Sequence, residues 1–453
     1  MGKTLFKNCK TIITCDAQDR VLYGHDILVD GKRIIQIDKN ISSDEAEIID
    51  AKDLFIYPGL INTHHHLLQA FSRNIPEIQS YELFDWLMYL YEVWKNVDSK
   101  FIYLSSQVAM GELLKYGCTT NFDQHFAFPQ GKGRDLIDRQ MDAAEELGIR
   151  FYAGRSCFTR TQKNGGLPPD ELGETTQQFI DDCERLIDTY HDASDFSMRQ
   201  VAVAPCSPFS VDTEVMVESV KLARAKGVRL HTHLCETIDE EKYCLETYGK
   251  RPLAWAHECG FTGPDVWYAH GIHFTDEEVA FLGETQTGVC HCPVSNMKLS
   301  SGVCKVPLML KHEVPLGLGV DGCGSNDASN LLSEIRIAYL LHRLNSSNLA
   351  PTGYDVLKIA TNGSAKVLGR TDIGSLTVGK AADLFALDVN KLEFAGALLD
   401  PASFLGTIGY ARPVKLTMVN GKIVYCDGEL IGIDEEKIHA QAEAEVAKIY
   451  KNL

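Results

Sequence analysis

No stretch of this chain stays apolar for the roughly 20 residues that a helix needs to cross a bilayer. The opening residues, MGKTLFKNCKTIITCD, lack the apolar core of a secretory signal. Positive charge is also short: Lys and Arg number 44 against 62 Asp and Glu, a net charge of −18 at pH 7. A surface that acidic repels nucleic-acid phosphates and anionic lipid, so neither nucleic acid nor membrane is an expected partner. Cysteine is not scarce, at fourteen. Yet the secretory context that would pair the thiols is missing, and Cys118, Cys206 and Cys290 fall inside apolar, strand-like runs. They read as reduced, buried thiols of a cytoplasmic protein.

What is present is alternation. The 453 residues exceed the roughly 250–300 that one hydrophobic core serves, which suits a large α/β domain with a smaller one beside it. Over residues 58–375, eight short apolar runs succeed one another: LFIYPGLIN, CTTNFD, IRFYAGR, RQVAVAPC, VRLHTHL, DVWYAHG, GVCHCP and VPLGLGVD. Between them lie stretches such as SKFIYLSSQVAMGELLKYG and DLIDRQMDAAEELG, where apolar residues recur every three or four positions. Eight strand–helix repeats with near-continuous apolar strands predict a parallel (β/α)8 TIM barrel. An open doubly wound sheet would carry a Gly-rich phosphate loop after its first strand, and none is there. Residues 1–57 and 376–453 differ in texture, with short β-branched runs and hairpin turns at Asp30-Gly31 and Asn420-Gly421. They predict one small β-sandwich domain built from both termini. The final stretch, IDEEKIHAQAEAEVAKIY, is rich in helix formers and predicts a terminal helix.

In such a barrel, catalytic groups sit at the C-terminal strand ends. The first run ends in His64-His65-His66 and the fifth in LHTHLCE, bringing His231, His233 and Glu236. The sixth ends in His270 and the eighth in Asp321. Strand alternation turns His64 and His66 to one face and His65 to the other. Imidazoles with a carboxylate form a donor set for a divalent metal. His64, His66, His233 and Asp321 supply three nitrogens and one oxygen; His231 shares a face with His233, and spacing alone leaves it open. Cys290-His291-Cys292 is not read as a zinc knuckle, because no second ligand pair lies at suitable spacing. Its cysteines read as buried, inward strand residues. Asp327, in GSNDASNLL, is expected to cap a helix N-terminus. Asp123, His125 and Cys206 also lie at strand ends, with His125 a candidate for lining the pocket.

The motifs Pro58-Gly59-Leu60-Ile61-Asn62-Thr63-His64-His65-His66, His231-Thr232-His233-Leu234-Cys235-Glu236, Ala269-His270-Gly271, His291-Cys292-Pro293-Val294-Ser295-Asn296 and Gly319-Val320-Asp321-Gly322 together resemble the amidohydrolase superfamily, in its branch of heterocycle deaminases. The resemblance spans nearly the whole chain. It implies that His64, His66, His233 and Asp321 hold one divalent ion, Zn²⁺ before Fe²⁺. It implies that His270 contacts the attacking water, that Asp321 takes the water's proton and that Glu236 protonates a ring nitrogen. Within the branch, APCSPFS and SNMKLSSG resemble the 8-oxoguanine deaminases, whereas INTHHHLLQAF, DRQMDAA and FIDDCERL resemble the hydroxyatrazine ethylaminohydrolases. Gln69, Trp86 and Arg155 match positions that these relatives use to shape the pocket. As a substrate group Arg155 would present paired donors to a ring carbonyl; the plainer alternatives are a barrel salt bridge for Arg155 and core packing for Trp86. The expectation is a metal-dependent aminohydrolase acting with water on an amino-substituted, oxo-bearing N-heterocycle, first 8-oxoguanine or an isocytosine-like ring. An N-alkylamino-hydroxytriazine amidohydrolase is the second reading. A metal-free scaffold is the third, and it would have lost metal-site residues that are all present. The resemblance suggests a homodimer.

Overall fold

The computed structural model describes residues 2–450. Eight parallel strands close a barrel. They are β1 (Leu60–Asn62), β2 (Cys118–His125), β3 (Arg150–Arg155), β4 (Arg199–Val203), β5 (Leu230–Leu234), β6 (Val266–His270), β7 (Gly288–His291) and β8 (Leu316–Leu318). Closure comes where Leu318 of β8 pairs with Asn62 of β1. The two helix-like stretches quoted above form Ser99–Lys115 and Leu136–Leu147, and the helices Thr176–Tyr190 and Thr213–Lys226 continue the alternation. Helices cover the outer face of the sheet and side chains fill its interior, so most strands are buried at every residue. Polar residues inside the barrel are paired. Asn62 Nδ2 donates to Asn121 Oδ1 at 2.7 Å, and Asn62 Oδ1 accepts from the Val320 N–H at 3.0 Å, which ties β1, β2 and the end of β8 together just below the histidines.

The run LFIYPGLIN is not one strand, and this corrects the sequence expectation. Leu54–Pro58 pairs antiparallel with Leu384–Asp388 and parallel with Thr11–Ile13, outside the barrel. Only Leu60–Asn62 enters it. The switch falls at Gly59, whose N–H donates to Asp383 O while the next N–H donates to Gly117 O, each at 3.0 Å. A Cβ at Gly59 would lie 2.1 Å from Thr119 Oγ1, so the strands approach there only because the residue has no side chain.

Both termini build the second unit. A seven-stranded sheet mixes strands from residues 11–58 with strands from residues 384–430, and a four-stranded sheet from residues 3–50 faces it. Phe6, Ile27 and Ile34 from one sheet meet Ile56, Leu384 and Met418 from the other in a shared core, as a sandwich requires. Asn420 and Gly421 both take positive φ, 50° and 77°, in the two-residue turn joining Leu416–Val419 to Lys422–Cys426. The terminal helix, Glu435–Tyr450, lies against Ser99–Lys115. All fourteen cysteines are free thiols, and all but Cys426 are buried. Among the described residues no helix is long and apolar enough to cross a membrane.

Candidate active site and metal centre

The C-terminal ends of β1, β5, β6 and β8 bring His64, His66, His233, His270 and Asp321 to one buried point. Ligand atoms of His64, His66 and Asp321 all lie within 4.8 Å of one another, as do those of His64, His233 and His270. The hydrogen bonds behind these rings decide where their protons sit. A backbone carbonyl only accepts, so the nitrogen facing it carries the hydrogen. His66 Nδ1 faces Gln124 O at 2.8 Å, and His233 Nδ1 faces Cys206 O at 2.7 Å. His231 Nδ1 donates to Trp267 O at 3.0 Å, which leaves its Nε2 as acceptor for His64 Nδ1–H, also at 3.0 Å. The role that spacing left open for His231 is thus filled behind His64. Burial pushes all of these imidazoles toward the neutral form, His66 down to about 3, with repulsion between neighbouring rings adding to it.

Each of His64, His66 and His233 therefore turns an Nε2 lone pair to the centre. His66 Nε2 and His233 Nε2 approach to 3.1 Å with no proton to share, and His64 Nε2 is buried without a hydrogen-bond partner. Lone pairs facing one another across so short a gap suit a cation, and the set of imidazoles with one carboxylate is that of a borderline divalent ion. His65 points away, to Ser329 Oγ at 2.9 Å, as alternation requires.

Asp321 Oδ1 lies 3.3 Å from His64 Nε2 and 3.4 Å from His66 Nε2. Its other oxygen accepts from Ser295 Oγ at 2.6 Å and Ser325 Oγ at 3.0 Å. Burial pushes this carboxyl up, but its contacts with the histidine cluster, His64 first, outweigh that and hold the group well below the usual carboxylate range. Glu236 is the opposite case. Burial, then the neighbouring Asp321, raise its carboxyl well above the ordinary 4.5, which favours the acid form. Its Oε2 sits 3.6 Å from His270 Nε2, and His270 Nδ1 is anchored on Asn296 Oδ1 at 2.9 Å. Two carboxyl groups with pKa values driven apart in one cleft form an acid–base pair. Both Asp321 (φ 60°) and His270 (φ 70°) hold left-handed backbone, a conformation few non-glycine residues adopt.

A pocket opens over this centre. His66, His233, Glu236, His270 and Asp321 form its floor, Gln69 and Ser207 add polar groups, and Leu83, Leu87, Tyr91, Phe126, Phe158 and Phe209 make an apolar wall. Gln69 lines it with Oε1 tied to the Gly324 N–H at 3.1 Å, which leaves the amide nitrogen as the free donor. Trp86 also lines it, its ring edge-on to Trp94 at 5.7 Å and its Nε1–H buried without a partner. Arg155 does not reach this pocket, which corrects the expectation that it reads a ring carbonyl. Its Nε donates to Asp182 at 2.7 Å, its terminal nitrogens to Glu174 at 2.9 and 2.7 Å, and its plane lies 3.5 Å over the Phe128 ring. His125 is likewise turned aside, bonded to Ala127 O at 3.1 Å. Asp327 does not cap a helix N-terminus: it ends the short helix Cys323–Asn326 and pairs with Lys298, while Asn330 caps Leu331–Ser346. The apolar wall was not legible in sequence, because its residues come from the helix Leu83–Trp94 and from loops, where wall and core residues look alike.

The chain matches the amidohydrolase family model over residues 55–424. It is 43% identical to hydroxydechloroatrazine ethylaminohydrolase of Pseudomonas sp. (strain ADP), over 98% of this chain and 95% of that protein. It is 41% identical to 8-oxoguanine deaminase of Pseudomonas aeruginosa, over 98% of both chains. The crystal structure of atrazine chlorohydrolase from Arthrobacter aurescens TC1 complexed with zinc superposes with a TM-score of 0.93 at 30% identity, covering 98% of this chain and 100% of that one. This chain belongs to the amidohydrolase family.

Proposed function

We propose that this protein is a metal-dependent aminohydrolase that releases ammonia from an amino-substituted, oxo-bearing N-heterocycle, with 8-oxoguanine or an isocytosine-like ring as first substrate. The observation that carries the reading is geometric: the inward Nε2 lone pairs of His64, His66 and His233 converge beside the Asp321 carboxyl, with Glu236 Oε2 3.6 Å from His270 Nε2 on the same pocket floor. His64, His66, His233 and Asp321 would hold the ion, Zn²⁺ before Fe²⁺, and an ion bound there supplies the Lewis acidity that makes water nucleophilic near neutral pH. Asp321 takes the proton of the attacking water. Glu236 delivers its own proton to the ring nitrogen next to the attacked carbon, where negative charge develops. His270, fixed by Asn296, orients the water from its Nε2 side. The carbon–nitrogen bond to the amine then breaks, and the amine leaves with the proton that Asp321 took from the water. With Arg155 engaged elsewhere, the free donors of Gln69 and Trp86 are the groups that read an oxo oxygen.

A second reading, removal of an alkylamine from a hydroxytriazine, is favoured by one observation. Leu83, Leu87, Phe126 and Phe158 offer an apolar wall on which an N-alkyl group would pack. Ammonia and ethylamine release, measured in parallel on 8-oxoguanine, guanine, isocytosine, isoxanthopterin and hydroxyatrazine, separates the two. Ammonia from 8-oxoguanine or isocytosine supports the first, and ethylamine from hydroxyatrazine alone supports the second. Silence on every compound with metal bound sinks both. On whichever substrate turns over, Glu236→Gln is expected to lower kcat by about 10²–10⁴-fold while metal content stays unchanged.

A further inference from the structure

Glu240 is wholly buried in the first turn of the helix Ile238–Tyr248. Among the described residues no cation pairs with it within ion-pair distance. Its partners are two backbone amides instead: Oε1 accepts from the Cys235 N–H at 2.7 Å and Oε2 from the Glu236 N–H at 3.0 Å. This reaches further back than an ordinary capping box, in which the same helix position bonds the N-cap residue. Here the N-cap is Thr237, whose Oγ1 accepts from the Glu240 N–H at 3.2 Å and so fixes the clamp's own root. A buried carboxyl without a cation is an expensive group to keep, and stabilising the helix end alone would not need it.

The clamped peptide has a second attachment. Cys235 holds φ at 55°, and its carbonyl accepts from the Ile272 and His273 amides at 2.8 and 2.9 Å. Those amides lie two and three residues after His270. One peptide unit therefore carries Glu236 on its C-terminal side and ties down the segment that leaves His270. Glu240 holds its N–H, and residues 272 and 273 hold its C=O. The two side chains whose 3.6 Å separation brings acid and imidazole together thus share a single anchor.

We propose that Glu240 is a positioning residue for the hydrolytic reaction: its two carboxyl oxygens, by clamping the Cys235 and Glu236 amides, set the placement of the Glu236 side chain relative to His270. The proposal rests on Glu236 acting as the proton donor. A carboxyl group sets an oxygen against each amide, whereas an amide side chain sets its NH2 group against one of them, and aspartate is one methylene too short to reach both.

The test uses full-length, metal-loaded enzyme and the variants Glu240→Gln, Glu240→Asp and Glu240→Ala, with two readouts. Backbone amide exchange followed by mass spectrometry needs no substrate. Glu240→Ala is expected to speed exchange at residues 234–237 and 271–273 and to leave the other barrel strands as they were. Steady-state kinetics, on whichever compound the wild type turns over, are expected to show kcat falling about 10²-fold in the alanine and aspartate variants, the order that a misplacement of about 1 Å produces. The fall should be smaller in the glutamine variant, with KM little changed and metal content intact in all three. Unaltered exchange at the two segments overturns the clamp. Local loss of protection with kcat unchanged overturns its role in positioning the acid, as does a rise in exchange spread over the whole barrel. If the wild type is silent on every heterocycle, the substrate reading has failed, and the exchange measurement still decides the clamp.

Discussion

At the scale of single residues, a guanidinium buried as fully as Arg155 keeps its charge only if that charge is answered. Glu174 and Asp182 answer it, and they stand 19 and 27 residues further along the chain. Replacing Arg155 with Met would leave the half-buried Glu174 without its cation and the buried Asp182 with only Arg185, a loss of about 3 kcal/mol. Arg155→Lys is the sharper experiment, because it keeps the charge and loses the planar fork. It is expected to lower the denaturation midpoint and to leave KM unchanged. A large rise in KM at unaltered stability would return Arg155 to the substrate. The contrast with the histidines explains what was legible. His64, His66 and His233 declare themselves because alternation on a strand fixes which way they face, and several strand ends repeat the signal. Arg155 also stands at a strand end, but its direction is set by partners in a distant loop and helix, and no local pattern shows that they fold back to it.

At the scale of elements, the eight runs were enough to count the barrel strands, since a strand buried on both faces carries few charged or exposed positions to interrupt it. The same property hid the break inside LFIYPGLIN. Leu54–Pro58 and Leu60–Asn62 are both fully buried, one in the terminal sheet and one in the barrel. Hydrophobicity cannot mark a boundary between two equally apolar surroundings. Gly59 marks it instead, and its role is steric. Gly59→Ala would place a methyl group 2.1 Å from Thr119 Oγ1. Thr119 is buried in the strand that pairs with β1, so it has little room to give way. The substitution is expected to destabilise the protein by about 1–3 kcal/mol in chemical denaturation. It should also weaken metal retention, because the barrel strand that begins one residue later leads directly into the segment carrying His64 and His66. A stable variant with normal metal content would show that the two sheets can part there freely.

At the scale of the whole molecule, burial favours the neutral form of ionisable groups in the barrel and in the helix Leu331–Ser346, and stability then depends on pH from both sides. Burial depresses His125 to about 3 and His342 to about 4 from an ordinary 6.5. The folded state refuses protons that the unfolded chain accepts, so the stability that these groups preserve is present above about pH 6.5 and is lost as pH falls toward their folded values. The buried carboxyls run the other way. Burial lifts Asp123 to about 7 and Glu334 to about 8. The folded state holds protons that the unfolded chain has released, so their contribution is complete below the unfolded carboxyl range and drains away as pH rises through 7 and 8. For these groups together, thermal stability of the metal-stripped protein is expected to peak on the mildly acidic side of neutrality and to decline toward pH 9. Glu334 isolates the alkaline limb. Its two oxygens accept from the Val294 N–H at 3.2 Å and from Asn326 Nδ2 at 2.7 Å. Glu334→Gln keeps one of those acceptors and can never ionise. The variant should therefore melt below the wild type at pH 5, where it has only lost a hydrogen bond. The gap should narrow or reverse by pH 9, where the wild type must bury a charge or take up a proton. Melting curves that fall in parallel across that range would assign the alkaline decline to another group.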